Sequence, residues 1–288
     1  MPRFLMTGVT GPLGSALVPQ LTQAFPNFTY LALTSRYPGR IKFSAANIYP
    51  MHLDLHRDFY SSLFYSELPS LAPFDSIIHC ASPYSTELLM QTSSSALRDF
   101  TQLIANEICL LRELVLNLRP GGTLIVCGSV SGMRNDSVLG KTHAQHLSEG
   151  SHIGNFKDCT IHATHKGILR DFTNCLYQSN PSHNIVHANL GPFMTSVPTE
   201  KEDEILSAAE VARQLIAVVQ SPRSQTFNID IVSPTTAKKM RSISSQSPSS
   251  VSEKKFTPHF TASFKEATPE ILYKNNDPTE PINSFRKI

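Results

Sequence analysis

The chain opens on a short apolar run, Arg3-Phe4-Leu5-Met6, followed at once by Thr7-Gly8-Val9-Thr10-Gly11-Pro12-Leu13-Gly14. Three glycines spaced three apart then give way to a helical apolar pattern at Ala16, Leu17, Val18 and Leu21. A strand, a glycine turn and a helix in that order point to the α/β class with parallel strands. Glycine lets the backbone turn sharply and come close to a bulky anion. The first N–H groups of the helix have no partner within it, so they face negative charge. The pattern predicts a dinucleotide phosphate site at Thr7, Gly8, Gly11, Pro12, Leu13 and Gly14. The alternative is an ordinary strand–helix turn whose glycines serve compactness alone. Pro12 suits either, because the first residue of a helix needs no N–H partner.

Further alternations follow. Phe28–Thr34, Met51–Leu55, Phe74–Cys80, Thr123–Cys127, Asn184–Leu190 and Phe227–Ile231 are apolar enough for strands of a mainly parallel sheet. Helices are expected over Gly14–Ala24, weakly over Asp58–Leu68, and strongly over Ser93–Leu118, where Leu97, Phe100, Leu103, Ile104, Ile108, Leu111, Leu114 and Val115 recur at three and four. Arg119-Pro120-Gly121-Gly122 is a stop signal for that helix. Thr160–Gln178 and Ser207–Gln220 complete the set. The expected architecture is a Rossmann-like three-layer αβα fold over residues 1–231, with a polar insertion near 133–158. Residues 232–288 are rich in Ser, Pro, Thr and Lys, with nine Lys or Arg against five Asp or Glu. That composition predicts a basic, low-complexity, largely disordered tail.

A net charge of +2 over 288 residues gives no general case for a nucleic-acid partner or a membrane surface. Met1 leads almost directly into the first strand, and apolar runs stay short of a span. The expectation is therefore a cytoplasmic protein. The five cysteines are scattered with no CxxC, which fits free thiols in a reducing compartment.

The second strand ends at Ser35-Arg36. In a dinucleotide fold this position faces the adenosine ribose. An acidic side chain there would hold both ribose hydroxyls, whereas the arginine fork matches a 2′-phosphate. Arg36, with help from Arg40, favours NADP over NAD. The alternative is a surface arginine at a strand end. Asp54 and Leu55 follow the third strand, where an adenine edge would lie.

This order of segments resembles the short-chain dehydrogenase/reductase superfamily over about residues 3–231. TGxxGxxG at 7–14 looks like the loop of its extended branch; the classical branch would have glycine at 12. Asp54-Leu55 resembles the adenine-side aspartate. His79-Cys80-Ala81-Ser82 stands where classical members have Asn-Asn-Ala-Gly, which would put Ala81 beside the cofactor. Gly122–Gly132 resembles the strand that delivers the catalytic serine, here Ser129. His162-Ala163-Thr164-His165-Lys166 stands where the family has Tyr-x-x-x-Lys. Asn189–Thr195 looks like the segment closing over nicotinamide, which implies roles for Gly191 and Thr195. Asn106 falls near the asparagine that supports a proton-relay water. The resemblance also implies a homodimer or homotetramer built on the helices near 97–118 and 160–178.

The family's chemistry would then assign Ser129 to orient a small-molecule substrate oxygen, and Lys166 to hold the nicotinamide ribose and tune the acid–base group. That group is His162 rather than tyrosine. Imidazole titrates near neutrality and can carry a proton, but it is shorter than phenol, and the Lys166 ammonium depresses its pKa. Two readings stay open: an NADP(H)-dependent oxidoreductase of a carbonyl or alcohol, and a catalytically degenerate nucleotide-binding or interaction protein. The 33 residues from Ser129 to His162 exceed the usual family spacing. His143, His146, His152, Cys159, His162 and His165 fall close together, but their spacing fits no zinc signature closely, and no metal is assigned.

Overall fold

Along the first strand, β1 (Arg3–Thr7), Phe4 and Met6 alternate with Leu5, and all three are fully buried. Side chains in a strand alternate between faces, so such a strand needs cover on both sides. The same holds in β2 (Tyr30–Ser35), β4 (Phe74–His79), β5 (Leu118–Cys127) and β6 (Asn184–Leu190). On one face Leu5, Ile77, Leu124 and Ile185 pack under α2 (Leu63–Leu71), α3 (Ser94–Leu116) and α4 (Thr160–Ser179). On the other, Phe4, Met6, Ile78 and Ile125 pack under α1 (Pro12–Ala24) and α5 (Ala208–Gln220). Each such side chain contributes roughly 1.5–3 kcal/mol relative to exposure.

The computed structural model describes residues 1–43, 45–57, 59–82, 92–129, 160–191, 193–194, 206–221 and 228–233. The 133–158 insertion, Thr195 and the tail from residue 234 lie outside them. With β3 (Ile48–His52) and β9 (Asn228–Ile231), the seven strands run in the order β3-β2-β1-β4-β5-β6-β9, every neighbouring pair parallel. This is a Rossmann-like three-layer αβα fold, as the sequence led us to expect. The strand order reverses between β1 and β4, and the crevice at the carboxyl ends of those two strands is where such sheets bind ligands. A separate pair, β7 (Phe193–Met194) and β8 (Leu206–Ser207), was not anticipated.

Local differences from the expected elements have physical causes. The third strand lies at Ile48–His52, not Met51–Leu55. It is an edge strand, so Tyr49 and Pro50 are tolerated exposed, whereas Leu53 and Leu55 are buried in the loop beyond it. The weak helix begins later than Asp58, because the Ser62 hydroxyl caps it by accepting from Tyr65 N–H. The long helix stops at Leu116 with Asn117 as its C-cap, short of the expected Leu118 and ahead of Arg119-Pro120-Gly121-Gly122, which already belongs to β5, whose register shifts there with Gly121 at φ +80°.

Candidate active site

The three glycines of the first loop have different jobs. Gly8 has φ +71°, and a Cβ on it would lie 2.6 Å from Ala81 N and 2.7 Å from Cys80 C. A Cβ on Gly14 would lie 2.4 Å from Gly8 O. Both glycines therefore let main chain pack on main chain. A Cβ on Gly11 would meet only Gly8 O, at 3.3 Å, among the described residues, a lighter contact than at Gly8 or Gly14. Gly11 is also the N-cap of α1 and supplies no side-chain cap, with Pro12 at the first helical position. The N–H groups of Leu13 and Gly14 in that first turn have no intrahelical acceptor. Gly8→Ala is expected to cost about 1–3 kcal/mol through strain and overlap. Gly11→Ala should cost well under about 1 kcal/mol; urea unfolding of both variants measures the contrast.

A cleft of about 250 Å³ opens at the switch point. Gly8, Thr10 and Gly11 form one wall, Ser35, Arg36, Asp54 and Leu55 another, and Cys80, Ala81 and Ser82 the floor. Ser35 ties the walls together: its hydroxyl bonds Thr10 Oγ1 at 2.8 Å and accepts from Tyr37 N–H at 3.0 Å. Arg36 Nε is 3.3 Å from the Asp54 carboxylate, and its side chain is half exposed. The guanidiniums of Arg36 and Arg40 both lie against the Tyr37 ring, at 5.6 and 4.7 Å. Two cations thus gather on one aromatic ring near the second strand's end. Asp54 is 8% exposed and also accepts from His56 N–H at 3.1 Å. Its carboxylate therefore organises the loop as well as lining the cleft.

Lys166 is 4% exposed, yet its ammonium reaches the floor of the cleft. It donates to Ser82 Oγ at 2.7 Å and to Cys127 O at 3.2 Å. Burial lowers its pKa, and the nearby Glu107 carboxylate opposes that shift. His162 stands one helical turn earlier, on the same face of α4. Burial first, then the charges of Lys166 and His165, push its imidazole down to about 4. The like-charge effect anticipated from the sequence is present, but desolvation is larger.

Behind the floor lies a buried polar chain that the sequence did not advertise. Ala81 N–H donates to Thr7 Oγ1 at 3.1 Å, and Thr7 Oγ1 bonds His79 Nδ1 at 2.8 Å. His79 Nε2 is 2.9 Å from Glu107 Oε1, and His165 Nε2 is 2.6 Å from Glu107 Oε2. All three side chains are about 1% exposed. The pattern assigns the Thr7 hydroxyl proton to His79 Nδ1, which leaves His79 protonated on Nε2 and donating to the carboxylate. Burial works to raise the Glu107 pKa, but the hydrogen bonds from His165 and His79 outweigh it and hold it well below the usual carboxylate range.

The structure brings Gly8, Gly11, Arg36, Asp54, Leu55 and Ala81 to one cleft, with Lys166 reaching its floor. Thr7 sits beneath it and is fully buried. Ser129 follows the carboxyl end of β5 and is half-buried. Asn106 donates its amide to Leu55 O and Arg57 O at 2.9 and 2.7 Å and so braces the 55–57 loop. Gly191 donates its N–H to Ile231 O, and a Cβ there would meet Val232 at 2.9 Å, so its small size serves packing beside β9. Of the histidine–cysteine run, His143, His146, His152 and Cys159 lie outside the described residues. The Glu107 pairing was missed, though a carboxylate between Leu103 and Leu111 on the apolar stripe of α3 was its signal.

No family model matches the chain, and no curated protein does. Solved structures do. A short-chain dehydrogenase family protein from Francisella tularensis is 17% identical, with a TM-score of 0.59, covering 82% of this chain and 99% of its own. A short-chain dehydrogenase from Burkholderia cenocepacia, solved with NADP, is 10% identical, with a TM-score of 0.57 and coverage of 85% and 93%. BdcA, solved with NADPH, is 13% identical, with a TM-score of 0.59 and coverage of 80% and 93%. The chain has the fold of the short-chain dehydrogenases. Among the described residues no helix is long and apolar enough to cross a membrane.

Proposed function

We propose that the chain is an NADP(H)-dependent oxidoreductase acting on a carbonyl or alcohol of a small molecule. The observation that carries this is a cleft lined by the glycine turn, Arg36 and Ser82, with Arg40 beside Arg36 on the Tyr37 ring and the Lys166 ammonium bonded to Ser82. The residues fit the cofactor. Gly11 would take a pyrophosphate at the start of α1, and Arg36 and Arg40 match a 2′-phosphate. Lys166, whose ammonium bonds Ser82 at the cleft, would hold the ribose beside the nicotinamide. Structures with the same fold have been solved with NADP and NADPH, which supports the choice over NAD.

Bound NADPH or NADP⁺ would supply or accept the hydride. The chain's own residues would bind and orient: Ser129 would hold the substrate oxygen, Lys166 the ribose, and His162 would exchange the proton with that oxygen. Gly191 and Thr195 would close the nicotinamide end. Asn106 would act through the 55–57 loop it braces. Assembly into dimers or tetramers through α3 and α4, where Leu97 and Ile168 are exposed, belongs to the same proposal, as do a cytoplasmic setting and a 1–231 body with a separate tail. Light scattering tests the assembly.

Titration of the full chain with NADPH and NADH tests the core of the proposal. NADPH should bind more tightly. Arg36→Ala should weaken NADPH roughly tenfold or more, the worth of a hydrogen bond to a charged group, while changing NADH little. Binding of neither nucleotide overturns the proposal. The degenerate-binder reading has one observation in its favour, the low His162 pKa of about 4.

A further inference from the structure

The floor of the cleft holds two thiols in contact. Cys80 Sγ lies 3.4 Å from Cys127 Sγ. His79 opposes Val126 in the parallel register of β4 and β5, so Cys80 and Cys127 are the next opposed pair. Neighbouring strands run about 4.8 Å apart, and disulfides bridge Cα separations of about 4.4–6.8 Å. Both sulfurs face the α1–α5 layer. Cys80 lines the cleft and is half-buried, and Cys127 is 5% exposed behind it. A small oxidant entering the cleft meets Cys80 first and finds the second thiol in contact with it.

We propose that Cys80 and Cys127 form a redox-active dithiol, closed to an intramolecular disulfide by a hydroperoxide. The Cys80 thiolate attacks a peroxide oxygen, the O–O bond breaks, an alcohol or water leaves, and the sulfur becomes a sulfenic acid. The Cys127 sulfur then attacks Cys80 Sγ, the S–O bond breaks, and the oxygen departs as water with the remaining thiol proton. The pair loses two electrons and two protons, and the peroxide gains them. The bond from Cys127 and burial both push the Cys80 thiol up, against the pull of Lys166, so the first step is slow beside that of an exposed acidic thiol.

Closure would be felt at the phosphate loop. Cys80 N–H donates to Thr7 O at 3.3 Å, and the Cys80–Ala81 main chain fills the space a Gly8 Cβ would need. Drawing Cys80 toward β5 therefore pulls on the wall against which Gly8 packs. This consequence rests on the nucleotide reading above; the cross-link itself does not.

The test uses the full reduced chain treated with hydrogen peroxide, digested without reductant and mapped by mass. A peptide pair joined through Cys80 and Cys127, two hydrogens lighter and reopened by dithiothreitol, is expected; Cys127→Ala should not form it. Cys109, Cys159 and Cys175 serve as internal controls. No Cys80–Cys127 link, links chiefly through the control cysteines, or a Cys80 sulfinic acid without a link overturns the proposal. NADPH affinity should fall roughly fivefold or more in the cross-linked protein. Equal affinity of the closed and reduced forms overturns the coupling to the phosphate loop. A protein that cross-links and binds nucleotide in neither state overturns the proposed function instead.

Discussion

Glu107→Ala is expected to destabilise the chain by about 3–5 kcal/mol, the cost of breaking a buried charged network by removing one partner. The carboxylate accepts from His79 and His165, so its loss leaves two buried imidazole N–H groups without acceptors. It also removes the negative charge that counters the burial of Lys166. Glu107→Gln keeps the volume and one acceptor oxygen and should lose less. Urea unfolding at pH 7 measures both. The pH dependence follows from the direction of the shift. Glu107 is held below the ordinary glutamate value of 4.5 in the folded chain, so its contribution is complete above that value. It is lost as pH falls through the lower, folded value. The wild type should therefore lose stability on acidification below about pH 4.5, and Glu107→Ala should lose less over the same window.

The sequence carried the framework and missed the interior chemistry for one reason. Strand and helix faces repeat, so Phe4, Leu5 and Met6, or Leu103, Leu110 and Leu114, announce their burial by period alone. Edge elements lack that signal. At β3, buried Leu53 and Leu55 drew the expected strand past its true end because apolarity marks burial and not hydrogen bonding.

The site was legible where main-chain geometry demands a residue type. Gly8 and Gly14 are required by close packing, and Arg36 directly follows β2 and lines the cleft. Asn106 and Glu107 show the limit. Adjacent residues on a helix face directions about 100° apart. Asn106 thus reaches the 55–57 loop, and Glu107 reaches β4 and α4. Spacing from a resemblance does not say where either side chain reaches; the packing of α3 does. His79 and Cys80 diverge in the same way, since successive residues of an extended chain face opposite layers.

His162→Tyr should raise NADPH-dependent carbonyl reduction at pH 7 by about 10²-fold or more, the usual scale of a general acid. Reduction needs a proton at the substrate oxygen. With a pKa of about 4, only about one His162 side chain in a thousand is protonated at pH 7. A tyrosine at this position keeps its proton at pH 7, and the Lys166 ammonium one turn away stabilises the phenolate it leaves behind. If His162 is the acid, the wild-type reduction rate should rise about tenfold for each pH unit lowered from 7 toward 5, tracking the imidazolium fraction. Alcohol oxidation needs the neutral ring and should be flat over that range. His162→Phe should remove the slope in reduction and lower the rate in both directions. Rates per bound nucleotide, measured from pH 5 to 8 across small carbonyls and alcohols, decide the matter. A wild type that binds NADPH but turns over nothing, beside an active His162→Tyr, means that the fold kept its nucleotide cleft after its proton donor was lost. Equal, pH-independent rates in wild type and His162→Phe would remove His162 from the chemistry altogether.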